Sequence, residues 1–462
     1  MTNDETALKP FLDFRTIYKE FEKRAPYQKI GKIVRSKGLA YEASLPRAIL
    51  GSNVEFLTEL GEKAMGEVVS IEDKSCLVMP YTELSGINSE TKIFIKDITT
   101  SIKISDKYLG RVVDFQGNPI DKKGPIEGPF EHRSIYGEAI NPLERPMIKE
   151  SLNTGINAIN AFMTTGKGQR IAILAGSGVG KSVLMGMVAR NTNADVNVIA
   201  LVGERGREVL EFIENDLGPE GLKRSVVVVA TSDASPLIRM KAAYTATTIA
   251  EYFRDQNNDV IMMMDSITRF AMAAREIGMS TGEPPGQKGY GPSVFSRLPK
   301  LMERAGTKEG AGSITGIYTV LVEGGDFDEP IADAVRSISD GHILLSRELA
   351  AKNIYPAIDI LNSISRVMNK VVPREHMIIS GYLKDLLASY KESEDLINVG
   401  AYARGTNPKV DKAITIYEEL TNTMKQEIDE SGNIEEVYDT MVEIARKAEQ
   451  SIDPEVFDEN GP

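Results

Sequence analysis

The eight residues Ala175-Gly176-Ser177-Gly178-Val179-Gly180-Lys181-Ser182 follow the apolar run Ile171 to Leu174 and precede the helix-like stretch Val183 to Arg190. Small residues in this setting let successive backbone N–H groups turn inward around phosphate oxygens. Lys181 can then reach the β- and γ-phosphates, and the Ser182 hydroxyl can ligate Mg²⁺. Phosphate charge would also rest on a helix N-terminus. Gly176, Ser177, Gly178, Val179, Gly180, Lys181, Ser182 and Val183 are therefore the candidate nucleotide-binding set. Ala175 stands where the strict pattern has Gly, which is tolerable if it belongs to the strand end and needs no positive φ.

Two further segments offer carboxylates. Val260 to Met264 is an apolar run ending in Asp265. An Asp there would either cap the next helix or, beside a phosphate loop, support Mg²⁺. Gly203-Glu204-Arg205-Gly206-Arg207-Glu208 follows the run Val196 to Val202. Glu204 and Arg205 could form an ordinary surface ion pair. At the carboxyl edge of a parallel sheet, where ligands bind, Glu204 would instead direct a water at the γ-phosphate and Arg205 would neutralise phosphate charge. Tyr355 could stack on a nucleobase or pack in the core, and Arg366, taken alone, is an ordinary solvated arginine.

These residues need a common scaffold. Apolar runs at Arg170–Leu174, Val196–Val202, Val226–Ala230, Val260–Met264, Ile314–Leu321 and His342–Leu345 alternate with helical patterns over about 151–371. That alternation predicts an α/β domain with a mostly parallel sheet covered by helices on both faces. Short runs at Gly31–Val34, Ala48–Leu50, Met65–Ile71 and Lys92–Ile95, broken by Gly, Asn and Ser, predict a small β-barrel over 28–100. Residues 101–150 supply a strand, a turn and a Pro-marked connection. Helical periods after about 372 (Met377, Ile378, Tyr382, Leu383, Leu386, Leu387) predict a C-terminal helical domain ending in an acidic tail. Phe11, Phe14, Ile17, Tyr18 and Phe21 predict an amphipathic helix over residues 6–24, suited to packing on its own domain or to docking a partner.

Composition excludes several function classes. A net charge of −13 over 462 residues disfavours wrapping nucleic acid, which demands Lys and Arg neutralisation. The single cysteine, Cys76, forbids an intrachain disulfide and any CxxC metal site, and the three widely spaced histidines give little support to zinc. The longest apolar runs are far short of the roughly 18 residues of a membrane span, and the acidic N-terminus shows no secretory signal. A cytoplasmic location is expected.

The stretches Gly176–Leu184, Gly203–Glu208, Ala234–Leu237, Met264–Ala271, Gly282–Pro285, Pro292–Phe295, Tyr318–Gly324 and Tyr355–Asp359 occur in one order along the chain. Together they resemble the rotary and hexameric ATPases with RecA-like cores, and within them the flagellar and type III secretion export ATPases, over about 28–415. The resemblance implies a homohexamer that hydrolyses Mg-ATP at subunit boundaries. Lys181 would hold the β- and γ-phosphates, Ser182 and Asp265 the Mg²⁺, and Glu204 the water. Tyr355 would stack on adenine, and Arg366 would be a finger reaching the adjacent subunit's γ-phosphate. Implied partners are a regulatory stator-like protein at the N-terminal helix, stalk and export-gate components, and export chaperones and substrates, with peripheral association at the inner face of the secretion apparatus. Leu396–Tyr402 is similar to the export branch, which favours release and unfolding of proteins entering a flagellar export gate. Other readings of the same residues are a rotary synthase catalytic subunit, an RNA-translocating termination hexamer and a non-catalytic ring scaffold. Glu323–Pro330 departs from the export pattern, and past about 415 the match is expected to fade.

Overall fold

The computed structural model describes residues 30–98, 100–322 and 329–450. The expected N-terminal helix, the acidic tail and most of the Glu323–Pro330 loop lie outside the described residues. The chain divides into two units at Thr100/Ser101.

The first unit is a closed antiparallel barrel of β1 (Ile30–Lys37), β2 (Ala40–Ser44), β3 (Asn53–Leu57), β4 (Lys63–Ile71), β5 (Cys76–Pro80) and β6 (Lys92–Asp97), in the order β1-β2-β5-β4-β3-β6. Alternation drives it: in β3, Val54 and Phe56 are buried while their neighbours are half-exposed. Closure leaves no strand edge to pair with another chain. The run Ala48–Leu50 is a turn rather than a strand, with Ile49 and Leu50 exposed, because three apolar residues are too few to span the barrel wall. Cys76 lies in the barrel core, where burial pushes its thiol up to about 11 and leaves it unreactive at neutral pH.

The second unit is built on a nine-stranded sheet. Its strands are β7 (Arg111–Val113), β8 (Arg170–Ala175), β9 (Val196–Glu204), β10 (Ser225–Thr231), β11 (Asp259–Asp265), β12 (Ser313–Leu321), β13 (Gly341–Leu345) and β14 (Ile364–Ser365), ordered β14-β13-β8-β12-β11-β9-β10-β7, with Gly306–Thr307 paired to β12. All neighbours from β13 to β7 are parallel, and β14 runs antiparallel to β13. The near-continuous apolar runs follow from this arrangement, since helices cover both faces and each strand is buried on both. Arg111–Val113, expected as a strand ahead of the Pro-marked connection, is one, hydrogen-bonded into the sheet beside β10.

The helices that matter for the site are α1 (Lys181–Asn191), α2 (Gly206–Glu211), α3 (Pro236–Asp255), α4 (Ile267–Ser280) and α5 (Arg347–Ala351). Then come α6 (Arg374–Asn398), α7 (Pro408–Met424) and α8 (Ile434–Gln450). Leu383, Leu386, Ile416, Leu420, Met441 and Ile444 of the last three helices join one buried cluster with Ile171, Ile173, Leu184 and Phe162, so these helices share the core of the sheet unit. Ile378, an expected apolar-face residue, is exposed. Among the described residues no helix is long and apolar enough to cross a membrane.

Just past α7, the buried Gln426 side chain accepts from the Asn157 N–H at 2.7 Å and donates to the Gly155 carbonyl at 3.0 Å, while its backbone N–H donates to the Tyr355 carbonyl at 2.9 Å. Gln426→Ala should lower stability by about 1–3 kcal/mol by leaving the Asn157 N–H without its acceptor, a loss readable in a denaturant titration.

Candidate active site

The loop between β8 and α1 has the geometry its composition demands. Gly178 (φ +77°) and Gly180 (φ +85°) occupy the left-handed region, which a side chain would strain. Ala175 ends β8, is fully buried and has no positive φ, so the missing first Gly costs nothing. Gly180 caps α1 without any side-chain hydrogen bond, leaving the first N–H groups of α1 to an anion.

Three strand ends converge on Lys181. Its ammonium donates to Asp265 Oδ1 at the end of β11 and lies 3.6 Å from Glu204 Oε1 at the end of β9. Register explains the meeting: Leu201 of β9 pairs with Asp265 of β11, and with only β12 between β11 and β8 both strands finish at the same carboxyl edge as β8. Asp265 is buried and also accepts from Thr319 Oγ1 of β12 at 2.8 Å. It does not cap α4. Ser266 does, accepting from the Arg269 N–H at 3.3 Å, so Asp265 points its carboxylate into the site.

The electrostatics are unbalanced in a useful way. Burial draws the Lys181 pKa down, but Asp265 and Glu204 outweigh it and hold the ammonium above its usual value. Burial and the Asp265 charge push Glu204 up to about 7, against the opposing pull of Lys181. Glu204 Oε1 is a buried oxygen with no hydrogen-bond partner. A carboxylate that titrates near neutrality and has an unused acceptor is suited to orienting a water or taking its proton. The uncapped helix end, the Lys181 ammonium and the oxygen donors of Ser182 and Asp265 fit a triphosphate with a hard divalent cation such as Mg²⁺.

Tyr355 follows α5 and its ring stands beside Gly180, where an added Cβ would lie 3.5 Å from Cδ1. It lines a 660 Å³ cavity with Gly178, Val183, Leu184, Met187 and Gln426, a slot of planar and aliphatic walls next to the phosphate loop. The segment from Tyr355 to Arg366 then runs back along β13, through the Leu345–Ile358 bridge and the His342–Ile364 and Gly341–Ser365 pairs. Arg366 therefore sits at the opposite, amino edge of the sheet, exposed and without an ion pair among the described residues. Arg205 is not drawn into the Lys181 cluster. It is exposed and pairs with Glu208 at 3.4 Å across the first turn of α2, so the surface ion pair is what the single chain forms.

Sequence reading passed over three neighbours. Thr319, a hydroxyl buried in β12, braces Asp265. Arg347 at the start of α5 lays its guanidinium on the loop, where a Cβ on Gly176 would be 2.8 Å from its Nε. Arg269 of α4 packs its stem against Gly203 and leaves a buried Nε without a partner. The signal for Arg347 was available, since it follows a parallel strand just as Glu204 and Asp265 end theirs.

A parallel sheet whose carboxyl edge brings a phosphate loop and its lysine together with two strand-end carboxylates fits a nucleotide-hydrolysing enzyme with a RecA-like core. Residues 155–365 match the ATP synthase alpha/beta family, nucleotide-binding domain, and residues 372–443 match the T3SS EscN ATPase C-terminal domain. The chain is 50% identical over 412 residues to a flagellum-specific ATP synthase of Bacillus subtilis, covering 89% of this chain and 94% of that protein. It is 44% identical over 434 residues to a type 3 secretion system ATPase of Xanthomonas euvesicatoria, covering 94% and 98%. The structure of the assembled ATPase EscN from enteropathogenic E. coli superposes with a TM-score of 0.85 at 44% identity, covering 90% of this chain and 99% of that one. The chain belongs to the family of flagellar and type III secretion ATPases and is an ATP-hydrolysing enzyme. The likeness does not fade at about 415 as expected, because the C-terminal family match continues to residue 443.

The raised Glu204 pKa makes a stability prediction for the nucleotide-free protein. The folded state holds the proton up to about pH 7, whereas an unfolded Glu releases it near 4.5, so the folded state binds more protons between these values and stability falls as pH rises through that window. Glu204→Gln should abolish a loss on the order of 3 kcal/mol. Denaturant titrations of both proteins at pH 5 and pH 8 check this; parallel behaviour of the two would contradict the assignment.

Proposed function

We propose that the protein is the ATPase of a flagellar type III export apparatus, acting as a homohexameric ring whose nucleotides sit between neighbouring subunits. The carrying observation is the separation of Tyr355 and Arg366. One return strand takes the chain from the phosphate loop to the far edge of the sheet, roughly 15 Å for five residues of β13. An unpaired arginine on the edge its own loop does not reach meets a γ-phosphate only on another copy.

In this reading the loop N–H groups from Gly176 to Ser182 and the Lys181 ammonium bind the phosphates, and Tyr355 stacks on adenine with Val183 beneath. Ser182 and Asp265 would hold Mg²⁺, which would supply neutralisation of phosphoryl charge. Lys181 exchanges its contact with Asp265 for the β- and γ-phosphates, releasing the carboxylate. Glu204 orients the attacking water and accepts its proton, and the neighbour's Arg366 stabilises charge on the transferring group. Arg205, exposed in the single chain, is available to phosphate charge at the boundary.

EscN has also been solved in complex with its central stalk EscO, at a TM-score of 0.83 and 43% identity. By analogy a stalk protein would thread this ring. The remaining partners follow from the family reading: a regulatory stator-like protein on the N-terminal segment, export-gate components, and chaperones and substrates released or unfolded by the cycle, at the inner face of the membrane. The flagellar assignment is supported by the higher identity to the Bacillus protein than to the Xanthomonas one.

Turnover measured against protein concentration should rise as rings assemble. Arg366→Ala should lower kcat by about 10³–10⁵, and Glu204→Gln by about 10²–10⁴. A rate per subunit that is flat down to the monomer range, or untouched by Arg366→Ala, would contradict catalysis at a shared boundary.

A further inference from the structure

Arg366 projects from a backbone fixed by two adjacent residues at the start of β8. Its N–H donates to the Asp340 carbonyl at 2.9 Å. The Asp340 carboxylate accepts from Arg170 three times: from the backbone N–H at 3.1 Å, Nε at 3.1 Å and Nη2 at 3.3 Å. The Asp340 N–H returns a bond to the Arg170 carbonyl at 2.8 Å. On the other side Gln169 Nε2 donates to Ser365 Oγ and to the Asp340 carbonyl, each at 3.0 Å, and Ser365 Oγ donates to the Thr164 carbonyl at 3.0 Å. The hairpin closes tightly here, since a Cβ on Gly341 would stand 3.0 Å from Ser365 Cα.

Such a clamp exceeds what a short edge strand needs for pairing. β14 is only two residues long, and the guanidinium that follows it is exposed, so without the clamp Arg366 would sweep a wide arc. An arginine must be held to a fraction of an ångström to act on a phosphoryl group; a 1 Å misplacement costs about a hundredfold. We propose that Asp340, gripped by Arg170, is a positioning residue for Arg366 in the reaction at the neighbouring subunit's pocket. This rests on Arg366 acting across the boundary. Asp340 touches no nucleotide of its own subunit: it precedes β13 at the amino edge, while the phosphate loop lies at the carboxyl edge.

The test separates a defect in the offered finger from a defect in the chain's own pocket. Asp340→Asn keeps the carbonyl that Arg366 bonds and loses only the charged grip. Alone it should lower kcat ten- to a hundredfold with KM for ATP changed less than about twofold. Mixed in equal amounts with Lys181→Ala, which lacks a working pocket but keeps its finger, it should regain activity. In rings drawn at random about one boundary in four then pairs a competent pocket with an intact finger. A parallel mixture of Arg366→Ala with Lys181→Ala reports on the finger reading itself. Recovery in that mixture but not with Asp340→Asn would overturn the positioning role, as would full activity of Asp340→Asn alone. Recovery in neither mixture would sink the finger reading and this inference together. If Asp340→Asn does not assemble, Arg170→Lys, which keeps the charge and loses the forked grip, is subject to the same comparison.

Discussion

Everything in the catalytic unit is arranged around one ammonium shared by two carboxylates. Lys181 has a short contact with Asp265 and a longer one with Glu204, all three largely buried. Two negative charges beside one positive charge in a poorly solvated place do not balance, and the strain is relieved on the weaker partner, whose proton is retained to near neutrality. The resting pocket therefore calls for additional positive charge near the carboxylates and negative charge near the lysine, which is the charge pattern of a metal–triphosphate pair. Parallel strand ends are what make such crowding achievable, because each contributes one side chain from a rigid base at the same depth of the sheet.

Part of this was legible before any coordinates. The strands of the large sheet are mostly apolar because both faces are covered, and β9 and β11 each end in a carboxylate where the strand leaves the core; Asp265 and Glu204 stood out for that reason. The barrel was legible as a class but not strand by strand. Ala40–Ser44 and Asn53–Leu57 went unmarked because each buries only two residues, and Cys76–Pro80 although four of its five are buried, while Ala48–Leu50 is apolar with Ile49 and Leu50 exposed.

The pocket's second layer was hidden for a different reason. Thr319 is one of four hydroxyl side chains in β12, with Ser313, Thr315 and Tyr318, and only the register that sets β12 beside β11 singles it out. Arg205 and Glu204 are adjacent in sequence yet part company, since the chain turns into α2 between them and leaves Arg205 in solvent. Arg366 has no local signature at all. Its interest comes from the hairpin that carries it away from Tyr355, a relation between two edges of the sheet that eleven residues of sequence do not disclose.

The floor of the cavity beside Tyr355 belongs to another part of the chain than its roof. Lys425, Gln426 and Glu430, just beyond α7, face Tyr355 across it, and the Gln426 amide is bonded to the Tyr355 carbonyl. A ligand whose arrival shifts Tyr355 would therefore act on the segment beyond α7, and by reciprocity a partner that displaces that segment would change the cavity's affinity for the ligand by the same factor.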